Sequence, residues 1–292
     1  MNDYLLAAVL GIIEGLTEFL PVSSTAHLRI AEALLGVDLR NGYWKMFTIV
    51  IQLGAILCLP VYFRQRIREF LRSFPKGSKG DRTWLTHPLS LVLIAFVVTA
   101  GPSLVLVKII GKHLESLVVM GTALVVGGVV MWLVDAAYGA PRPGRSFRTE
   151  NMEEMSLLQA VWIGACQILS AVFPGTSRSM ATIAAGQVAG MTRASALEFS
   201  FFLSIPTMAA ATAYDLYKSV VPHAGVNPLG VTHIDAHGWT LLAIGFVVSF
   251  LVAYASVAWF MGWVRTRGFA PFALYRILAG LAVVAWALGW LG

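Results

Sequence analysis

Glu14-Gly15-Leu16-Thr17-Glu18-Phe19-Leu20-Pro21-Val22-Ser23-Ser24-Thr25-Ala26-His27 interrupts an apolar segment with two carboxylates, a proline, four hydroxyls and a histidine. A second interruption, Pro174-Gly175-Thr176-Ser177-Arg178-Ser179-Met180, sets an arginine among three hydroxyls. Both sit in surroundings rich in Leu, Ile, Val and Ala. There an ionisable side chain costs on the order of 2.5–3.5 kcal/mol even on the lenient insertion scale, so charge in such a place points to function. Broken backbone at membrane depth is tolerated only where protein or a wet cavity satisfies its freed N–H and C=O groups.

Outward from these stretches the chain is 292 residues long, 58% hydrophobic and only 12% charged, against about 25% charged for an ordinary soluble domain. Apolar runs of spanning length recur at 47–63, 89–107, 117–133, 199–217, 241–263 and 272–291. About 20 such residues cross the hydrocarbon core. A soluble protein buries one or two helices of this kind, not six, so the fold class is an all-α polytopic membrane protein. The N-terminus has neither a basic segment nor a small-residue cleavage site, and no removable signal peptide is expected. Cys58 and Cys166 lie singly in apolar helical runs and give no disulfide or metal spacing. The net charge of +6 does not mark a nucleic-acid binder, because Arg64, Arg66, Arg68, Arg72, Lys76, Lys79 and Arg82 crowd one loop, as the positive-inside rule predicts for a cytoplasmic loop.

A shift of 153 residues lays one interruption on the other: Gly11 meets Gly164, Glu14 meets Gln167, Pro21 meets Pro174 and Ser24 meets Ser177. The chain reads as a single membrane domain, 1–292, of two repeats, about 1–140 and 150–292. Each has one broken hairpin followed by three spans. With the loop 64–82 cytoplasmic, the same side also receives 137–156, the turn near Arg193, and Arg265 with Arg267, which together hold 13 of the 21 Lys and Arg. Arg29, Arg40, Lys45, Lys108, Lys112 and Lys218 fall on the other side. This asymmetry requires each hairpin to enter and leave by one face, the first from outside and the second from the cytoplasm. That is an inverted-topology repeat with two re-entrant broken-helix hairpins, whose breaks meet near the bilayer midplane. The alternative is two kinked spanning helices, which would change the parity and spoil the charge asymmetry.

Pro21 disfavours helix at Leu20 and removes a donor, ending the first arm; Ser23 or Ser24 can cap a second arm from Thr25. Pro174-Gly175 ends the matching arm, and Thr176 or Ser177 caps the next. Each second arm begins with free N–H groups and a positive dipole end, an anion site. Glu14 and Glu18, four apart, share a helical face. Their mutual repulsion makes sense if a divalent cation or a shared proton sits between them. Oxygen ligands suit Mg²⁺ or Ca²⁺, and Mg²⁺ takes one or two carboxylates plus substrate phosphate. His27 is a candidate nucleophile, general base or general acid; Ser24 is the rival nucleophile, and capping alone would also explain it. Arg178 among Gly175, Thr176, Ser177 and Ser179 describes a phosphate clamp, or else a cation that only neutralises a glutamate. Gln52 and Glu198 adjoin the hairpins as candidate cavity residues. Pro206 marks a kink, and Asp135 and Asp215 are read as interfacial. His87, His113, His223, His233 and His237 form no ligand set.

At these loops the chain resembles the undecaprenyl-pyrophosphate phosphatase family, the integral-membrane kind linked to bacitracin resistance. Glu14-Gly-Leu-Thr-Glu18-Phe-Leu-Pro-Val-Ser-Ser-Thr-Ala-His27 is similar to its first signature and Pro174-Gly-Thr-Ser-Arg178-Ser to its second. Gln52-Leu-Gly-Ala-Ile and Glu198-Phe-Ser-Phe-Phe-Leu-Ser-Ile-Pro206 also fit, and the likeness covers essentially the whole chain. One departure is Ala26, where the family usually has Gly. The resemblance implies hydrolysis of undecaprenyl pyrophosphate to the monophosphate carrier and phosphate in a bacterial inner membrane, in support of cell-wall precursor recycling. It implies a divalent-metal requirement and a periplasm-facing site made of Glu14, Glu18, Ser23, Ser24, Thr25, His27, Ser177 and Arg178. The expected partners are the polyprenyl pyrophosphate and the membrane; the sequence leaves a homodimer open. The competing function is a transporter or lipid flippase, since inverted repeats with broken helices are also transporter architecture.

Overall fold

The computed structural model describes residues 2–37, 42–110, 116–141, 147–220 and 234–290. Arg40, Lys112, His113, His223 and His233 lie outside them, as do the side chains of Lys108 and Lys218. The chain runs α1 (Asp3–Thr17), α2 (Ser24–Leu35), α3 (Gly42–Tyr62), α4 (Arg64–Ser73), α5 (Pro88–Ile110), α6 (Leu117–Tyr138), α7 (Leu157–Val172), α8 (Arg178–Val188), α9 (Arg193–Val220), α10 (Ala236–Thr266) and α11 (Ala270–Ala287). Six of these, α3, α5, α6, α9, α10 and α11, are long and apolar enough to cross a bilayer. The protein is a multi-pass membrane protein. The structure departs from the sequence reading at the basic loop, which contains the ten-residue helix α4. Pro206 stands inside a continuous α9.

The helix starts follow local chemistry. Asn2 caps α1 by accepting from the Tyr4 amide, Ser116 caps α6, and Asp235 caps α10. Ser156 and Gln159 form a reciprocal capping box at the start of α7. The broken segments fold as two helix–loop–helix pairs, α1–α2 and α7–α8, with arms of 15, 12, 16 and 11 residues. At 1.5 Å per residue each arm spans only about 16–24 Å, short of the ~30 Å hydrocarbon core. The outer ends of each pair lie together. Around α7–α8, the Arg148 amide donates to Gly190 O at 3.0 Å and Gln159 Nε2 to Ala189 O at 3.0 Å. Leu6 of α1 and Val37 beyond α2 share one apolar cluster with Tyr43 and Ile234.

Packing between the pairs and the spans is crosswise. α1 lies along α10 and α7 along α5, while α6 and α11 form the most extensive pair. Close approach needs small residues. A methyl added at Gly11 of α1 would come within 2.8 Å of Gly245 O on α10, and one at Gly164 of α7 within 2.5 Å of Ala95 O on α5. Hydroxyls seal the crossings: Thr99 donates to Gly164 O at 2.8 Å, and Ser249 to Ile51 O at 2.7 Å. Between the breaks and the basic face lies a dry aromatic layer, in which Phe19 and Phe201 meet edge to face at 5.5 Å.

The basic face gathers the ends of α3, α5, α9 and α10 around a basin of about 760 Å³. Arg66 donates Nε to Glu198 at 2.8 Å and Nη2 to Glu153 at 3.0 Å. The two carboxylates raise its already high pKa, and burial, which alone would lift the Glu153 carboxyl, is outweighed by Arg66 so that Glu153 sits below its usual value. Asp135, read from sequence as interfacial, is buried. It accepts from Arg193 Nε at 2.7 Å, Gln187 Nε2 at 3.0 Å and the Phe269 amide at 2.9 Å, tying α6, α8, α9 and the start of α11.

Candidate active site

The two loops meet. Glu18, just past α1, accepts the Ser24 hydroxyl on Oε2 at 2.6 Å and Arg178 Nη2 on Oε1 at 3.3 Å. One carboxylate thus joins the first residues of α2 and α8. Arg178 also donates Nη1 to Ser200 O on α9 at 3.3 Å, and Ser179 donates to Leu20 O at 3.0 Å, lacing one loop to the other. The residues before α2 and α8, Ser23 and Ser177, have φ of 75° and 67°. Side chains rarely adopt this backbone, and it persists only where surroundings over-determine it. First-turn amides of a helix have no intrahelical acceptor, so α2 and α8 both present donors at the same place.

A polar cavity of about 260 Å³ opens on these loops. Glu18, Ser23, Ser24, Thr25, Gln52, Gly175, Ser177 and Arg178, all expected from sequence, line it. Four expected residues do not. Ser179 turns its hydroxyl to Leu20 O, and Thr176 faces an apolar groove of about 640 Å³ between α6, α7 and α8. Glu14 is 1% exposed, and neither of its carboxylate oxygens has a hydrogen-bond partner among the described residues. His27 stacks on Tyr275 of α11; its Nδ1 lies 2.7 Å from Ser23 O and its Nε2 2.6 Å from the Tyr275 hydroxyl. Because the Ser23 carbonyl only accepts, Nδ1 carries the proton and Nε2 of the neutral ring accepts from Tyr275. Both nitrogens are engaged away from the cavity.

Other expectations shift as well. Glu198 serves the opposite basin through Arg66, whereas Asp215 lines the polar cavity. The strained caps stand one residue out of the 153-residue register: Ser23 corresponds to Ser177, and Ser24 to Arg178. Gly175, at φ 97° against the Met120 carbonyl, takes up the added residue. Thr99, Gln167 and Thr207 complete the cavity wall, with Gln167 Nε2 reaching Thr99 at 3.2 Å and Thr207 at 3.3 Å. Their sequence signal is faint, since lone polar residues in apolar spans are common. Arg276 was missed despite a stronger one, an arginine inside the last apolar run.

Among the described residues no three His, Cys, Asp or Glu side chains gather as a metal centre. Glu14 and Glu18 supply two adjacent carboxylates, one with unpartnered oxygens. That donor set suits Mg²⁺ or Ca²⁺ completed by substrate phosphate and water.

The family model for bacitracin resistance protein BacA matches residues 7–282. The chain belongs to this family. It is 67% identical over 286 residues to an undecaprenyl-diphosphatase of Koribacter versatilis (strain Ellin345), covering 97% of this chain and 98% of that relative. An undecaprenyl-diphosphatase 2 of Paramagnetospirillum magneticum is 42% identical over 279 residues, covering 94% and 95%. An undecaprenyl-diphosphatase of Caldanaerobacter subterraneus is 37% identical over 278, covering 95% and 94%.

Proposed function

We propose that this protein hydrolyses undecaprenyl diphosphate to undecaprenyl phosphate and inorganic phosphate, recycling the lipid carrier for cell-wall synthesis. The observation that carries the reading is Glu18 holding Ser24 and Arg178 at the joint start of two helices. Ser24 Oγ attacks the terminal phosphorus and Glu18 takes its proton. The bond from phosphorus to the bridging oxygen breaks, and the lipid monophosphate leaves. Water then attacks the phosphoserine; Glu18 returns its proton to the departing serine oxygen, takes the proton of the water, and releases it to solvent as phosphate leaves. Arg178 and the first-turn amides hold the non-bridging oxygens, where charge grows in the transition state. Arg178 exchanges part of its contact with Glu18 for the substrate, which frees that carboxylate to act as base. His27 positions the Ser23 carbonyl and does not attack.

Glu14 with Glu18 would hold a divalent cation, Mg²⁺ or Ca²⁺, which supplies charge neutralisation on the diphosphate. The prenyl tail lies in the apolar groove of α6, α7 and α8, since Phe173 and Thr176 line that groove while Pro174, Gly175, Ser177 and Arg178 line the polar cavity. In this reading the cavity faces the periplasm of a bacterial inner membrane, and two observations support it. The basic loops crowd the opposite face, and the cavity reaches Asp215, near the end of α9 far from Arg193. The short paired arms are then re-entrant, dipping from opposite faces.

The test is phosphate release from a prenyl diphosphate by purified protein in detergent. A hydrolase needs no gradient, whereas a transporter or flippase releases none. Phosphoenzyme trapped by acid quench should carry its label on Ser24, and His27→Asn should retain that label. A label on His27 would reverse the assignment of the nucleophile.

A further inference from the structure

Arg276 is the largest wholly buried side chain among the described residues, at 0% exposure on α11. It makes no salt bridge there. Its partners are carbonyl oxygens: Nη1 donates to Pro21 O at 2.9 Å, and Nη2 is shared by Thr176 O at 3.0 Å, Gly175 O at 3.1 Å and Ala123 O at 3.3 Å. One guanidinium therefore grips the first loop, the second loop and α6 together. Gly127 of α6 makes the room, because a methyl there would collide with Arg276 Nη2. The neighbouring Tyr275 holds His27, so two consecutive residues of α11 secure both broken segments.

We propose that Arg276 is a positioning residue of the phosphate site, holding both loops in anion-binding register through their carbonyls. The inference rests on the hydrolase reading of the cavity. In a trans peptide plane the C=O and the following N–H point in opposite directions. Drawing the Thr176 carbonyl toward Arg276 turns the Ser177 amide away from it, and Ser177 is both the left-handed cap of α8 and a cavity residue. Holding Pro21 O fixes the approach to Ser23, the matching cap of α2. A buried guanidinium without a carboxylate partner also leaves net positive charge behind the loops, which favours a dianionic phosphoryl group in front of them.

The probe is inorganic orthovanadate, whose binding is read directly by the dissociation constant, beside kcat and KM for a prenyl diphosphate. Arg276→Met should weaken orthovanadate at least tenfold and lower kcat about a hundredfold. Arg276→Lys, which keeps charge but loses the fork, should recover only part of each. Gly127→Ala, pressing on the guanidinium from α6, should weaken orthovanadate about threefold in protein that still melts cooperatively. A merely structural role would lower Vmax in proportion to the folded fraction and leave the orthovanadate constant unmoved. Wild-type constants in folded Arg276→Lys and Gly127→Ala would overturn the proposal. Should the wild type release no phosphate, the hydrolase reading fails, while the orthovanadate constants still decide the role of Arg276.

Discussion

The α1–α2 and α7–α8 pairs share a plan and divide the chemistry. In each, a first arm ends near a proline, a serine with positive φ follows, and a second arm starts at the cavity. The first pair then carries Glu14, Glu18 and Ser24, and the second carries Gln167, Ala171 and Arg178. Glu14 and Gln167 are matched in position, and each is 1% exposed. Gln167 donates its Nε2 to two threonines while its Oε1, like both Glu14 oxygens, has no partner among the described residues. The two positions differ in charge: burying an unpartnered carboxylate costs far more than burying a neutral amide whose NH2 group reaches two hydroxyls. The lesson is that one backbone design, used twice, brings carboxylate and serine on one loop against an arginine on the other.

Removing the clamp should have the largest effect. Arg178→Ala should lower kcat about 10³-fold, within the range for lost transition-state donors. Arg178→Lys should restore little because it lacks the planar fork, and near-normal turnover in either would refute the clamp. Next, the matched pair separates under exchange. Glu14→Gln should raise the Mg²⁺ needed for half-maximal turnover about tenfold with little loss of stability. Gln167→Glu should instead destabilise by several kcal/mol, since it buries a second carboxylate beside two hydroxyls; melting curves and metal titrations decide, and equal behaviour would dissolve the contrast. The caps differ more subtly. Ser23 makes no side-chain cap bond, whereas Ser177 accepts from the Met180 amide. Ser23→Gly should therefore stabilise by about 1 kcal/mol through relief of strain, and Ser177→Gly by less.

The smallest effect lies across the molecule, in the basin. Glu153 titrates below its usual 4.5 in the folded protein. Its contribution to stability is complete above that value and is lost as pH falls through the lower folded value. Melting temperature should drop slightly over that acidic window, and Glu153→Gln should flatten the drop. A drop of equal size in the variant would assign it to other carboxylates.

Hydropathy and loop charge made the six spans legible, with boundaries displaced by a few residues, because runs of spanning length with basic flanks have few other uses. The two breaks were legible for the same reason, as chemistry in apolar surroundings. What lay beyond reach was register and direction. One added residue, Gly175, moves the second cap, so the alignment paired Arg178 with Thr25 where the fold pairs it with Ser24. His27 sits in the signature but swings to Tyr275, 248 residues away, a partner no spacing announces. Glu198 was misplaced because its arginine, Arg66, comes from another element, and spacing gave no hint that Asp135 would pair with Arg193. Arg276 was readable as a charge in a span, but not as the common anchor of two loops.

The crosswise seating of α1 on α10 has a consequence for biosynthesis. Gly11 leaves the ribosome long before Gly245, the residue whose carbonyl it abuts. At about 5–20 residues per second, the first short pair waits roughly 10–50 s for its partner. During that interval it needs a chaperone, the insertion machinery or the bilayer surface to shelter Glu14 and Glu18. Expressed alone, the N-terminal half would stay stranded at that stage, and supplying the C-terminal half in the same cell should rescue it.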